Sequence, residues 1–220
     1  MGGLELLGRL RESPSQPKVV VMTADDAPET LLRALREHAC RYIRKPVEPK
    51  QLAELVRECL AESRELRSIE VVSARPNWVE LLVPCDRGAA ERIQEFLARL
   101  DSDLPEEIRA NVGQAFRELL MNAVEWGGKL DPNQTVRIAY LRARRMLLYR
   151  IADPGGGFSH EQLAHAAVAN PPDQPMVHAL VREQKGLRPG GFGLLLARAM
   201  VDELLYNEAQ NEVVFVKYLD

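Results

Sequence analysis

The first third of the chain alternates short apolar runs with stretches in which apolar residues recur at helical spacing. Residues 18–23 form a continuous apolar run of the kind that is buried in a parallel sheet, and Tyr42-Ile43 forms a shorter one. A helix is predicted after each run, over 28–38 and over 52–65. The pattern therefore predicts two short βα units in this part of the chain.

From about residue 65 the pattern is that of a second, larger unit. It opens with two apolar-rich runs around a short polar turn, which predict a hairpin. A long helix is expected to start at Pro105, with Asp103 and Glu106 forming a capping box. The predicted elements are strands at 68–73 and 78–83, helices at 86–100 and from Pro105, strands at 136–141 and 147–152, a helix at 194–205 and a strand at 212–219.

A long segment rich in proline and glycine interrupts this second unit. It covers residues 159–191, between a predicted strand and a predicted helix. A stretch of this length inside a compact domain is usually a functional lid or is disordered. The sequence therefore predicts a lid or a disordered segment at this point.

Composition narrows the classes of function. The 220 residues are 46% hydrophobic and 28% charged, as in an ordinary globular protein of one large or two small domains. The net charge of −3 gives no basic surplus for nucleic acid, and no apolar run approaches the ~20 residues of a membrane helix. Cys40, Cys59 and Cys85 are widely spaced, which predicts reduced, mostly buried thiols. We therefore expect a cytoplasmic protein that binds neither nucleic acid nor membrane.

Two polar residues of the Pro105 helix are candidates for chemistry. Glu118 and Asn122 are four residues apart, so they share one face, at the edge of the apolar stripe. An acid and an amide placed where a core meets a cleft suit a hydrated Mg²⁺ and a polarised water or hydroxyl. Taken alone, this pair is more often an ordinary solvated helix edge.

Two glycine-rich runs are the other candidates. The first, D-P-G-G-G-F, begins at Asp153 directly after a strand, where a carboxylate can accept a hydrogen bond from a base amino group. The second, G-G-F-G-L, runs from Gly190 to Leu194 before a helix, whose exposed N–H groups and dipole favour an anion. It is neither a P-loop nor a Rossmann fingerprint. Separately, each run also fits a turn or a hinge.

Taken together and in this order, the three elements resemble the GHKL (Bergerat-fold) ATPases. The resemblance covers about residues 68–220 and implies a two-layer α/β sandwich with a mixed sheet. The end of the chain resembles the anti-sigma-factor serine/threonine kinase branch of that superfamily. The motifs that carry the branch resemblance are Val201-Asp202-Glu203, Tyr206-Asn207-Glu208 and Asn211-Glu212-Val213.

The resemblance implies roles at the matching positions. Glu118 would be the catalytic base or the acid that orients water, and Asn122 would ligate Mg²⁺. Asp153 would bind the adenine amino group of ATP. Around it, the residues expected to shape the adenine pocket are Gly155, Gly157 and Phe158.

The phosphate end of the site is expected near the second glycine run. The backbone there would contact phosphates, and the charge of the lid residues Lys185 and Arg188 would offset that of the γ-phosphate. Trp126 departs from the family pattern, because family members often carry His at this position. Trp cannot accept a hydrogen bond as His can. The departure therefore puts the expected phosphoryl transfer in question more than the expected nucleotide binding. The phosphate-contacting residues would be Gly190, Gly191, Gly193 and Leu194.

Residues 1–64 are expected to form a separate segment that precedes the ATPase-like domain of residues 65–220. The segment resembles the second, C-terminal half of a response-regulator receiver domain, with a flavodoxin-like βα order. Thr23 matches the family's switch hydroxyl, Tyr42 its switch aromatic and Lys45 its phosphate-contacting lysine. The phosphoacceptor Asp is missing, so we expect no phosphorylation in the receiver manner. Its uncovered apolar surface is expected to dock on the ATPase-like domain or to pair with a second copy as a homodimer.

Three functions follow from the resemblance. The first is an Mg-ATP-dependent kinase that phosphorylates Ser or Thr of an anti-anti-sigma (STAS) partner and also binds a sigma factor. The second is an ATP-binding partner switch without kinase activity, which Trp126 favours. The third is a histidine-kinase catalytic domain, which is the weakest because no helical hairpin with a central His precedes Ser68.

Overall fold

The computed structural model describes residues 3–11, 17–24, 27–37, 39–61, 69–75, 77–158, 160–171, 173–186 and 190–219. The first unit contains two strands that pair in parallel, as the apolar runs predict. Its elements are α1 (Gly3–Arg11), β1 (Val20–Thr23), α2 (Pro28–Arg36), β2 (Arg41–Arg44) and α3 (Pro49–Ala61). The end predicted for the first helix, His38, and the extension of the second beyond residue 61 lie outside the described residues.

The cysteine prediction is wrong for one pair. Cys40, just before β2, and Cys59, buried on α3, are joined by a disulfide with their Cα atoms 6.1 Å apart. Cys85 is free and buried, as expected. The wide sequence spacing misled the prediction because the fold returns α3 to the start of β2. The argument from reduced thiols to a cytoplasmic location therefore does not hold for this pair.

The second unit is a six-stranded sheet with helices packed on it, which confirms the two-layer α/β fold. The strand order is β3-β4-β5-β6-β8-β7. All five strand pairings of this sheet are antiparallel, so the prediction of a mixed sheet is wrong in this detail. The elements are β3 (Glu70–Arg75), β4 (Trp78–Pro84), α4 (Arg87–Leu100), α5 (Glu106–Asn122), β5 (Thr135–Ala143), β6 (Met146–Ala152), α6 (Val177–Gln184), α7 (Gly193–Met200), β7 (Glu203–Tyr206) and β8 (Glu212–Tyr218).

The core lies between the sheet and the long helices. The strands contribute alternate apolar residues to it, and the helices contribute apolar residues at helical spacing. An aromatic stack runs from Phe116 of α5 through Tyr149 to Phe215. Buried Asp101, at the end of α4, accepts hydrogen bonds of 2.6 Å from the hydroxyls of both Tyr140 and Tyr149. These two hydrogen bonds hold the end of α4 against β5 and β6. They also offset the free-energy cost of burying the carboxylate of Asp101.

Two predicted details of this unit are wrong. The helix expected at 194–205 ends at Met200, and β7 follows it. The chain is extended there because β7 pairs with β8. In addition, Asp202 accepts a hydrogen bond from the backbone N–H of Tyr218. The expected capping box does not form, since Pro105 is the N-cap residue without a side-chain hydrogen bond. Asp103 instead pairs with Arg142 through two contacts of 2.7 Å.

The first unit docks on the second, as expected. Leu31 and Leu32 of α2 belong to the same buried cluster as the core of the second unit. The guanidinium of Arg99, on α4, lies 5.2 Å from the ring centroid of Tyr42. Within the described ranges, no helix combines the length and the apolar character needed to span a membrane.

Candidate functional site

A cavity of about 1090 Å³ lies between the end of α5, the loop after β6 and the start of α7. It brings together most of the predicted site residues, although they come from separate parts of the chain. Gly190 does not line it, and Arg188 lies outside the described residues. The predicted residues that line the cavity are Glu118, Asn122, Asp153, Gly155, Gly157, Phe158, Lys185, Gly191, Gly193 and Leu194.

The end of α5 supplies one wall. Asn122 is the last residue of the α-helix, and a π-helical turn, Ala123–Gly127, continues it. The carboxylate of Glu118 accepts a 2.8 Å hydrogen bond from the side-chain amide of Gln114, one turn earlier. This bond holds one carboxylate oxygen and leaves the other facing α7. A π-helical turn is uncommon and often marks a functional site.

Asp153, directly after β6, also lines the cavity, next to the turn that follows α5. Its carboxylate accepts a 2.8 Å hydrogen bond from the backbone N–H of Gly155. Partial burial raises the pKa of this carboxyl, and the hydrogen bond from Gly155 offsets part of the increase. A Cβ at Gly127 would collide with the Asp153 side chain, so only glycine lets the helix end lie this close to the carboxylate.

The turn between β7 and β8 braces the loop that follows Asp153. The side chain of Asn211 donates a 2.9 Å hydrogen bond to the carbonyl of Gly155, and its backbone carbonyl accepts one of 2.9 Å from the N–H of Asp153. The side-chain amide of Asn207 in turn donates to the Asn211 side chain at 2.8 Å. Gly157 has a φ of +79°, and a Cβ there would collide with the carbonyl of Ala209. The two asparagines thus fix the loop at one end of the cavity.

The second glycine run lies against the acid on α5. A Cβ at Gly193, the first residue of α7, would collide with the free carboxylate oxygen of Glu118. Gly191 has a φ of +97°. This geometry brings a carboxylate and a helix N-terminus to one point, where an anion and an acid–base group are expected to meet.

Over its described residues, the predicted lid contains α6. His178 and Arg182 of α6 are buried, and the His178 ring meets Phe192 edge-on at 4.6 Å. The guanidinium of Arg182 donates a 3.2 Å hydrogen bond to the carbonyl of His165. Lys185 lines the cavity at the end of α6. The lid therefore packs on the glycine run rather than extending into solvent.

Sequence reasoning missed several residues of the site. Gly127 and Gly128 end the π-helical turn, and their adjacent pair directly after the E-x-x-x-N helix is a signal that could have indicated a close approach. Gly128 lies against the buried thiol of Cys85, whose pKa is raised to about 11, chiefly by burial. Tyr206 lines the cavity and packs on Phe158 at 5.5 Å. Its place at the cavity was not predicted, because Tyr206 follows the end of the predicted helix 194–205 and was assigned only to a motif of the branch resemblance.

The donor set of the cavity fits a magnesium ion held jointly with phosphates. Among the described residues, no group of three or more His, Cys, Asp or Glu side chains is placed to hold a metal ion. Mg²⁺ usually keeps several waters and is bound through one or two protein groups and substrate phosphates. Glu118 and Asn122, both lining the cavity one turn apart, match this sparse donor set.

The antiparallel sheet, the helices on it and a cavity between a helix end and two glycine-rich loops define a nucleotide-binding ATPase domain. The family described as "Histidine kinase-like ATPase domain" matches residues 85–217, and the chain belongs to this family. Residues 1–57 are similar to the response regulator receiver domain. No curated protein matches the chain significantly. The family membership implies ATP binding and a kinase or ATPase activity, with Mg²⁺ as the usual ion.

Proposed function

We propose that the chain is an Mg-ATP-dependent protein kinase of the anti-sigma-factor type, which phosphorylates Ser or Thr of an anti-anti-sigma (STAS) partner and also binds a sigma factor. The observation that carries this proposal is the contact between Glu118 and Gly193. It places an acid beside the helix N-terminus at which phosphates would bind. The motifs at the end of the chain, which include Asn207 and Asn211, support the branch.

Each residue has a role in the proposed reaction. Asp153 accepts a hydrogen bond from the adenine amino group, and the backbone around Gly191 and Gly193 contacts the phosphates. Asn122 would hold Mg²⁺ on the protein side, and the ion would offset the charge of the phosphates. Glu118 takes the proton of the partner's hydroxyl as that oxygen attacks the γ-phosphorus, and ADP leaves.

A transfer assay with radiolabelled ATP and a STAS protein tests the proposal. We expect label on the partner with the wild-type chain and its loss with Glu118→Gln, which keeps an oxygen to accept the hydrogen bond from Gln114. Asp131→Asn is a matched control, since Asp131 also lines the cavity but is engaged by Asn133. Label that is unchanged in Glu118→Gln would contradict the catalytic role.

A second candidate function, an ATP-loaded partner switch without transfer, is favoured by Trp126. Its indole lines the cavity at the position from which a histidine would accept a hydrogen bond. Tight ATP binding without any transfer to the STAS protein would identify this function. Label appearing on a histidine of an added partner, which is labile in acid, would identify a histidine kinase instead.

A further inference from the structure

Two contacts hold residues 160–171 of the lid in place. The N–H of Ala167 donates a 2.8 Å hydrogen bond to the carbonyl of Gly191, in the second glycine run at the end of the lid. The ring of His165 meets the indole of Trp126, outside the lid, with centroids 5.2 Å apart and planes inclined by 39°. Both rings line the cavity. The contact of Trp126 with His165 therefore joins the turn that follows α5 to the lid at the cavity.

The π-helical turn accounts for the position of Trp126. The wide turn is closed by a 2.8 Å hydrogen bond from the N–H of Gly128 to the carbonyl of Ala123, five residues earlier. Ala123 and Val124 of this turn are buried, whereas Trp126 remains 53% exposed. A large apolar ring that is half exposed contributes little to the core, so packing of the domain does not explain why it lies at the cavity.

We propose that Trp126 is a positioning residue that holds the lid closed over bound nucleotide through its contact with His165. This inference rests on the proposed ATP site. Both rings line the cavity that the nucleotide would occupy, so their contact would keep the lid against the end of α5 while the nucleotide is bound. An aromatic pair of this kind stabilises the closed lid enough to slow release by roughly 2- to 10-fold.

The first test needs no nucleotide. Hydrogen exchange of the apo protein is measured in Trp126→Ala, Trp126→Phe and the wild type. We expect faster exchange over residues 160–171 in Trp126→Ala and near wild-type exchange in Trp126→Phe, whose ring still meets His165. Amides of β5 and β6 should be unchanged in both variants, which separates lid opening from loss of the fold. Unchanged exchange over 160–171 in Trp126→Ala would overturn the proposal.

The second test measures release of a ribose-labelled fluorescent ATP analogue by stopped flow. We expect roughly 2- to 10-fold faster release from Trp126→Ala and from His165→Ala, and no further gain in the double variant, because one contact is removed in each case. Trp126→Phe should restore slow release. Trp78→Phe, at the start of β4 and outside the cavity lining, is the matched control and should release at the wild-type rate.

The outcomes separate this inference from the proposed function. Failure of the wild type to bind the analogue would contradict the ATP site, while the exchange experiment would still decide whether Trp126 holds the lid. If the analogue binds but leaves wild type and Trp126→Ala at the same rate, the role of Trp126 is overturned and the ATP site stands. The same holds if the effects of the two single variants on the release rate add fully in the double variant.

Discussion

Asp153 has opposite pH dependences in folding and in binding. Because burial raises its pKa in the folded protein, its contribution to stability is fully present below the pKa of the unfolded chain and is lost as pH rises through the folded pKa. Nucleotide binding changes in the other direction, since the ionised carboxylate is the stronger acceptor for an amino group.

The Asp153→Asn variant should therefore weaken ATP binding by roughly 10- to 100-fold at neutral pH, in line with the loss of a hydrogen bond to a charged group. It should also melt at a higher temperature without nucleotide, because the cost of burying a charge is removed while an oxygen remains for the Gly155 N–H. Calorimetric titration between pH 4 and 8 checks both the affinity and its pH dependence. A wild-type affinity that does not fall as pH decreases would contradict the assigned role.

Two glycines on the same helical segment should respond oppositely to alanine. Gly113 of α5 is exposed with nothing within 4 Å of an added Cβ, so Gly113→Ala should stabilise the protein by about 0.5–1 kcal/mol. Gly127→Ala forces the methyl against Asp153 and should lower both the melting temperature and the ATP affinity. Thermal denaturation with and without ATP measures the two effects. Equal behaviour of the two variants would show that the close approach at Gly127 has no consequence.

At the scale of single elements, the pairing of Cys40 with Cys59 ties α3 to β2. We expect one cysteine, Cys85, to react with an alkylating reagent when the chain is unfolded without reductant, and three after reduction. Mass spectrometry of the alkylated chain counts them. Three reactive thiols before reduction would contradict the disulfide. Reduction should destabilise the first unit and leave ATP binding unchanged, because neither cysteine lines the cavity.

Local patterns in the sequence predicted some elements correctly and others incorrectly for identifiable reasons. The helix of Glu118 and Asn122 was predicted because its apolar stripe is long and regular. Residues 203–205 of β7 were predicted as helix because their leucines continue the pattern of α7, and only pairing with β8 distinguishes strand from helix here. The π-helical turn that carries Trp126 has no sequence signature of this kind.

For the whole molecule, the order of motifs, through the family resemblance that it carries, was sufficient to predict the fold and ten residues that line the cavity. It was not sufficient for contacts between distant segments. The bracing of Asp153 by Asn211, the disulfide and the contact of Tyr42 with Arg99 each depend on the complete fold. Such contacts join residues far apart in sequence, so spacing along the chain does not indicate them.

The central claim is that the cavity binds ATP together with Mg²⁺ through Asn122. Calorimetric titration of ATP into the wild type and Asn122→Ala, each with Mg²⁺ and with a chelator, tests it most directly. We predict that Mg²⁺ strengthens binding to the wild type, and that Asn122→Ala loses most of this gain while retaining the weaker metal-free binding through Asp153. Absence of ATP binding to the wild type, or an equal effect of Mg²⁺ on both proteins, would contradict the claim.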